Sequence, residues 1–198
     1  MITLGVTGGI GSGKSYVCHI LSGMGAAVYD TDREAKRLMV ESPSIRRDLT
    51  SIMGEDAYLP DGSVNKPVVA DYLFSSPNHA ARINAVVHPR VREDFRRWVR
   101  DARSGLGLAV LETAILYESG FDREVDKVLM VNAPIELRIS RTIVRDRAVE
   151  EAVRSRMAAQ MSDEEKLRMA DFVITNDGKA ELQPQLDRLL EALHLKIH

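Results

Sequence analysis

The chain has 198 residues, of which 44% are hydrophobic, 28% charged and 5% aromatic. This balance is typical of one soluble globular domain and excludes a disordered, fibrous or disulfide-rich chain. The single cysteine, Cys18, cannot form an internal disulfide, and the chain has neither the about 18 consecutive apolar residues of a membrane span nor a signal-peptide pattern, so we expect a cytoplasmic protein. The formal charge of −2 leaves no positive excess for a nucleic-acid partner.

The first 30 residues predict one strand-helix-strand unit. Apolar residues indicate a short buried strand over 1–7, which leads into a glycine-rich segment at 8–13. Apolar residues at helical spacing predict a helix over 15–24, and residues 26–30 predict a second strand. A strand, a glycine-rich loop, a helix and a strand in this order are typical of a parallel sheet.

Three later apolar runs complete the predicted sheet, and they lie at 108–111, 125–131 and 172–174. The region 33–104 has a helical pattern and is too long for one crossover helix. We therefore expect a helical insertion over the carboxyl ends of the strands, where open α/β sheets bind their ligands. Helices are also predicted over 134–169 and 180–195. No repeat or linker divides the chain, so 1–198 is predicted as a single α/β domain.

The strongest motif is Gly8-Gly9-Ile10-Gly11-Ser12-Gly13-Lys14-Ser15, which fits G-x-x-x-x-G-K-[ST] at every fixed position. Its glycines allow backbone N–H groups to turn toward phosphate oxygens, and the helix that follows adds the positive end of its dipole. Lys14 is predicted to reach the β- and γ-phosphates, and the hydroxyl of Ser15 to bind Mg²⁺. The motif therefore predicts a nucleotide-binding loop.

A phosphate-binding loop alone does not separate a kinase from a GTP-binding switch or a motor. The Asn65-Lys66 pair continues with Pro67-Val68, so the N-K-x-D element that reads guanine is absent from the sequence. A motor needs a coupling apparatus that is hard to fit into a chain already divided between sheet and insertion. A kinase is favoured, and a protein that hydrolyses ATP slowly to change partners remains the alternative.

Two carboxylates follow the second predicted strand. In an extended segment, alternation places Asp30 and Asp32 on one side, near the carboxyl edge of the sheet, where one of them can accept a proton from an attacking hydroxyl. Thr31 or Asp32 also suits the N-cap of a helix over 33–40. The residues by themselves leave both interpretations open.

The segments Val6–Ser15, V-Y-D-T-D ending at Asp32, and His88-Pro89 resemble the dephospho-CoA kinase family. Further matching pieces follow in the family's order: Ile115-Leu116-Tyr117-Glu118, Arg141, Arg145-Asp146, Gln160, Lys166 and Ala170-Asp171 through Ile174 to Asn176. The resemblance covers about residues 2–180 and implies a three-layer α/β P-loop kinase with ATP as donor and Mg²⁺ as metal. It also implies that the ribose 3′-hydroxyl of dephospho-CoA is the acceptor, in the last step of coenzyme A biosynthesis.

The resemblance also implies roles for individual residues. Asp32 is the general base and contacts the acceptor, and His88 lies in the region that faces the acceptor. Arg141 is catalytic, and with Arg145 it belongs to a lid over residues 141–160; Asn176 lines the adenine pocket. The ATP-binding residues so implied in and after the loop are Gly9, Ile10, Gly11, Ser12, Gly13, Lys14, Ser15 and Tyr16.

Two residues differ from the family's pattern, and two alternatives stay open. Tyr16 stands where most relatives carry Thr, and Glu112 stands where an acidic strand-end residue is often Asp, which leaves the role of Glu112 open. His88-Pro89 also suits a helix start with Pro89 at the first position. A kinase for another small acceptor, such as a nucleoside monophosphate or a sugar, would carry the same ATP-binding half.

A cluster of arginines lies in a predicted helix, at Arg90, Arg92, Arg96, Arg97, Arg100 and Arg103. Acidic residues alternate with them, and Glu93 stands four residues before Arg97, so we expect a solvated, self-paired face. The alternative is that one or two of these arginines reach the phosphates of the acceptor. Cys18 is expected to pack behind the loop, and not to act as a nucleophile.

Overall fold

The computed structural model describes residues 1–76, 78–102 and 104–195, with the backbone alone at Phe74. Its contacts divide the chain into a sheet unit, Met1–Asp30 with Asp101–His198, and a helical unit, Thr31–Arg100. The region predicted as an insertion, 33–104, falls mostly in the helical unit. Arg103, one of the clustered arginines, lies outside the described residues.

The sheet unit contains a five-stranded sheet in which every neighbouring pair of strands is parallel. The strands are β1 (Ile2–Thr7), β2 (Ala27–Asp30), β3 (Leu108–Glu112), β4 (Lys127–Asn132) and β5 (Phe172–Thr175), in the order β2-β3-β1-β4-β5. The predicted parallel sheet is confirmed. Because all strands run the same way, their carboxyl ends meet at one edge.

Helices of the sheet unit cover the sheet and connect its strands. They are α1 (Lys14–Gly23), α6 (Ile135–Asp146), α7 (Glu150–Ala158), α8 (Asp163–Met169) and α9 (Gln183–Ala192). Leu4 and Leu108 belong to one buried cluster with Leu21 of α1 and Leu190 of α9. Every residue of β3 is buried, so both faces of this strand are covered, as in a three-layer α/β fold.

The helical unit consists of α2 (Thr31–Glu41), α3 (Pro43–Met53), α4 (Lys66–Ser75) and most of α5 (His79–Asp101). Two of these helices have buried apolar faces, since Ile45 and Leu49 of α3, and Val87 and Phe95 of α5, are buried. The predicted helical character of this region is confirmed. None of the described helices combines the length and the apolar character that a bilayer crossing requires.

Three local predictions are wrong. β2 ends at Asp30 and α2 begins at Thr31, so Asp30 and Asp32 do not alternate along an extended segment. Thr31 and Asp32 both lie in the first turn of α2, and neither precedes it as an N-cap. Pro89 does not start a helix, because it lies inside the 23-residue helix α5.

The last predicted helix, 180–195, is shorter than expected. α9 spans Gln183–Ala192. Residues 177–180 before it form a turn, in which the carboxylate of Asp177 accepts hydrogen bonds from the backbone N–H groups of Lys179 (2.9 Å) and Ala180 (2.8 Å). The region predicted as helical over 134–169 contains three helices, α6, α7 and α8.

Candidate active site

The glycine-rich segment joins the carboxyl end of β1 to the first turn of α1. Gly13 immediately precedes the helix with φ 91°, a left-handed conformation that favours glycine. No residue of the first turn of α1 is acidic, and the helix dipole places its positive end at this loop. The loop therefore has the backbone geometry and the electrostatics of an anion site.

Ser15 and Glu112 bring a hydroxyl and a carboxylate together beside this loop. The Ser15 hydroxyl donates a hydrogen bond to Oε1 of Glu112, which is buried at the end of β3. Strand register aligns Glu112 with Val6 of β1 on one side and with Asp30 of β2 on the other. Hard oxygen donors of this kind suit Mg²⁺, which binds few protein ligands besides phosphates and water.

The interpretation of Cys18 as a packing residue is confirmed. Its side chain is 2% exposed and belongs to the core cluster beneath α1. Burial, together with the nearby carboxylate of Glu112, raises the pKa of the Cys18 thiol well above its ordinary value. The group stays a protonated thiol, so it does not suit nucleophilic chemistry.

Asn176 and Arg141 meet at the other side of the loop. The side-chain amide of Asn176 donates to the carbonyl of Ser12 at 2.8 Å, and Nη1 of Arg141 donates to the carbonyl of Asn176 at 3.0 Å. Asn176 follows β5 and Arg141 lies in α6, so two distant segments converge on the loop. Both were candidates from the sequence, and the structure brings them together.

Two other ATP candidates lie in different surroundings. Arg145 makes two hydrogen bonds to the neighbouring carboxylate of Asp146, at 2.7 and 3.1 Å. This guanidinium, with a further contribution from Arg156, lowers the pKa of Asp146 to about 2. Tyr16 points outward from α1 with 59% of its surface exposed. The structure does not gather these two side chains at the loop with Arg141 and Asn176.

A buried ion pair anchors the segment after β3. Nζ of Lys166, fully buried in α8, donates to the carbonyl of Ala114 at 2.7 Å and lies 3.0 Å from the carboxylate of Glu118. Glu118 also accepts from the backbone N–H of Met161 at 2.9 Å. Lys166 and Glu118 thus fix the chain around α8 to the loop that leaves β3.

Arg138 is a residue that the sequence reasoning missed. It is 3% exposed, and its Nε donates to the carbonyl of Ile10 in the loop at 2.9 Å. Gln160 accepts from the N–H of the same Ile10 at 3.2 Å. The available signal was spacing, since Arg138 precedes Arg141 by three residues in one helix and so lies near the same face.

The helical unit contains the acceptor candidates Asp32 and His88. Asp32 is exposed in the first turn of α2. His88 is half-buried in α5, and burial together with the charge of Arg92 lowers the pKa of its imidazole. The predicted pair of Glu93 and Arg97 is confirmed, with 3.7 Å between the charged atoms.

A polar cavity of about 320 Å³ lies within the helical unit. Its charged lining is balanced, with three arginines and three carboxylates: Arg37, Arg90, Arg97, Glu41, Glu93 and Asp94. Arg37 pairs with Glu41 at 2.8 Å and with Asp94 at 2.7 Å. Arg90 pairs with Asp48. These ion pairs agree with the expected self-paired face.

The family model described as dephospho-CoA kinase matches residues 2–181. The chain is 47% identical to a dephospho-CoA kinase of Bacteroides fragilis over 197 residues, which cover 100% of this chain and 95% of that one. It is similar to the crystal structure of TT1252 from Thermus thermophilus, with TM-score 0.80, 32% identity and 98% and 96% of the two chains covered. A dephospho-CoA kinase structure from Campylobacter jejuni shares the fold, with TM-score 0.65, 21% identity and coverage of 97% and 95%.

Proposed function

The chain belongs to the dephospho-CoA kinase family, and from this premise we propose how its residues transfer the γ-phosphoryl group of ATP to the ribose 3′-hydroxyl of dephospho-CoA. The chain is a kinase of coenzyme A biosynthesis, and ATP and dephospho-CoA are its substrates. The arrangement of Lys14 and Ser15 at the first turn of α1, beside Glu112 of β3, carries the proposal.

The loop is proposed to hold the phosphate chain. Its backbone N–H groups would surround the phosphate oxygens, and the ammonium of Lys14 would stabilise the charge that develops on the γ-phosphoryl group. Arg141 would add a second cation from α6, and Asn176 would support the loop while lining the adenine side. Phosphoryl transfer needs little covalent chemistry from the protein, so positioning and charge stabilisation carry the rate.

Mg²⁺ is proposed as the metal, because the donor set beside the loop fits it. The Ser15 hydroxyl would bind it directly, and the Glu112 carboxylate would contact it or one of its waters. When bound, Mg²⁺ neutralises phosphate charge and orients the β- and γ-phosphates. The hydrogen bond between Ser15 and Glu112 keeps these two oxygens together at the carboxyl ends of β1 and β3.

Asp32 is proposed as the general base that receives the proton of the acceptor hydroxyl. It follows the end of β2 by two residues and lies exposed in the first turn of α2. His88 and the region 33–104 are proposed to bind the acceptor, and the segment 141–160, with Arg145, to form a mobile lid that excludes water. The cytoplasmic location and the lack of a nucleic-acid partner also stay predictions.

Incubation of the purified chain with Mg-ATP and a panel of acceptors tests this proposal. The panel contains dephospho-CoA, a nucleoside monophosphate and a sugar, and mass spectrometry identifies the molecule that gains a phosphate. We expect phosphate on dephospho-CoA alone and little loss of ATP without acceptor. Phosphate on another acceptor would contradict the substrate, and rapid ATP loss without acceptor would favour a switch protein.

A further inference from the structure

The buried guanidinium of Arg138 donates a hydrogen bond to Ile10 of the phosphate-binding loop. Arg138 is 3% exposed at the fourth position of α6, and its Nε donates to the carbonyl of Ile10 at 2.9 Å. Its Nη1 pairs with the carboxylate of Asp163, the first residue of α8. A buried cation is tolerated only when it is paired and hydrogen-bonded, so both contacts are needed to keep Arg138 in place.

The same guanidinium lies against the α-carbon of Gly9. A Cβ at Gly9 would lie under 3.0 Å from Nη1, Nη2 and the central carbon of the Arg138 guanidinium, and these are its three nearest atoms. Gly9 is not among the residues with left-handed φ. Alanine therefore suits the φ of Gly9, and the obstacle to it is the side chain of Arg138.

Gly11 of the same loop is crowded by different atoms, which include the backbone of Arg138. Its φ is 81°, and a Cβ there would approach the backbone carbonyl of Arg138 and the hydroxyl of Thr142, again under 3.0 Å. A backbone carbonyl in a helix cannot move aside as a side chain can. Shortening the side chain at 138 therefore relieves the crowding at Gly9 and leaves the crowding at Gly11.

We propose that Arg138 is a positioning residue that holds the Gly9-Ile10 turn in the shape that accepts the phosphate chain. Asp163 acts through Arg138 by fixing its guanidinium. Gln160 also contacts Ile10, since its Oε1 accepts a hydrogen bond from the backbone N–H of Ile10 at 3.2 Å. The proposal rests on the proposed function in one respect, namely that ATP binds at this loop.

The first test measures steady-state kinetics of Arg138→Gln with ATP and dephospho-CoA. Glutamine removes the charge, and with it the charge-assisted character of the hydrogen bond to Ile10, so the KM for ATP should rise by about 10- to 100-fold, the scale of one charge-assisted hydrogen bond. The KM for dephospho-CoA should stay close to its original value. Equal changes in both KM values, or a fall in kcat alone, would overturn the positioning role.

A control arginine is available on α9. Arg188 is exposed in this helix and lies outside the loop and outside the segment 141–160. Arg188→Gln should leave both KM values unchanged. Asp163→Asn should raise the KM for ATP less than Arg138→Gln does, because it keeps the bond to Ile10, and it should add little in the Arg138→Gln background. Independent effects of the two changes would overturn the role given to Asp163.

The decisive test is a double-mutant cycle on ATP affinity, measured by calorimetry. Gly9→Ala should weaken ATP binding in the original chain and cost much less in Arg138→Gln, whereas Gly11→Ala should cost the same in both backgrounds. Independent sites agree within about twofold, so a larger difference at Gly9 supports the proposal. An equal cost of Gly9→Ala in both backgrounds would overturn it.

The outcome is separable from the proposed function. Failure of the unaltered chain to bind ATP would contradict that function, while the Gly9 and Arg138 variants can still be compared by thermal unfolding without nucleotide. A destabilisation by Gly9→Ala that disappears in Arg138→Gln would support the packing on which the proposal stands. Persistence of the full destabilisation would overturn it.

Discussion

Two arginines beside the phosphate-binding loop and two that line the polar cavity of the helical unit make different contacts. In the sheet unit, Arg138 and Arg141 donate to backbone carbonyls at or beside the phosphate-binding loop. In the helical unit, Arg37 and Arg97 pair with the carboxylates of other side chains. The first kind of contact fixes a backbone, whereas a partly exposed ion pair contributes little and exchanges partners easily. The nucleotide half is therefore built in advance, whereas the arginines that line the cavity are held by side-chain partners.

The largest expected effect concerns the base. Asp32→Asn should slow phosphoryl transfer by about 10²–10⁴, the usual contribution of a general base, and leave ATP affinity nearly unchanged because the loop is intact. Single-turnover kinetics and calorimetry measure the two quantities. Asp30→Asn is the matched comparison, and a greater loss of transfer there would assign the base role to Asp30. Equal losses of binding and transfer in Asp32→Asn would indicate a structural role.

The second-largest expected effect tests the phosphate-binding loop, which belongs to the nucleotide half. Lys14→Ala should lower turnover by about 10²–10³, the scale of one lost charge-stabilising donor. Lys127→Ala is a suitable control, because Lys127 is the first residue of β4 and so lies at the opposite end of that strand from the loop edge. Turnover is measured with saturating Mg-ATP and dephospho-CoA. A near-normal rate in Lys14→Ala would remove the ammonium from the mechanism.

A stability experiment compares a buried and an exposed lysine. Lys166→Met removes one partner of a buried ion pair and should cost about 3 kcal/mol of unfolding free energy, the lower end of the range because Glu118 is partly exposed. Lys127→Met removes an exposed partner of Asp171 and should cost about 1 kcal/mol or less. Urea unfolding measures both. Similar costs for the two variants would contradict the structural distinction.

The smallest effect is a pH dependence in the helical unit. The pKa of His88 is lowered from 6.5 in the folded chain, so the unfolded chain binds the proton more readily. Its contribution to stability is present above pH 6.5 and is lost as the pH falls below that value. His88→Asn should therefore reduce the loss of unfolding temperature between pH 7.5 and 5.5. His19→Asn, an exposed control in α1, should behave as the original chain does; equal slopes in all three proteins would contradict the prediction.

Local patterns were sufficient for the strands and the loop. The apolar run at 1–7 and the glycine motif each carry their signal within about ten residues, and so do the later strands, because burial in a parallel sheet demands continuous apolar stretches. Reliance on a local pattern also caused the wrong prediction at Asp30 and Asp32. Alternation is a property of strands alone, and the N-cap signal at Thr31 and Asp32 placed the start of the helix two residues too late.

Contacts between distant segments were not predictable. Ser15 contacts Glu112 because β3 lies next to β1 in the sheet. The sequence of neither segment predicts this strand order. Arg138 resembled any arginine on a charged helix, since its burial depends on Asp163, 25 residues further along. Arg141 and Asn176 became candidates only through the family resemblance, and their meeting at Ser12 emerged from the fold.

The buried position of Cys18 has a consequence for the product. Coenzyme A ends in a free sulfhydryl, and such molecules form mixed disulfides with exposed, ionised cysteines when a cell is oxidised. The sequence has one cysteine, which is buried on the core side of α1 and stays a protonated thiol. The kinase can therefore release a reactive sulfur compound at each turnover without becoming covalently modified by it.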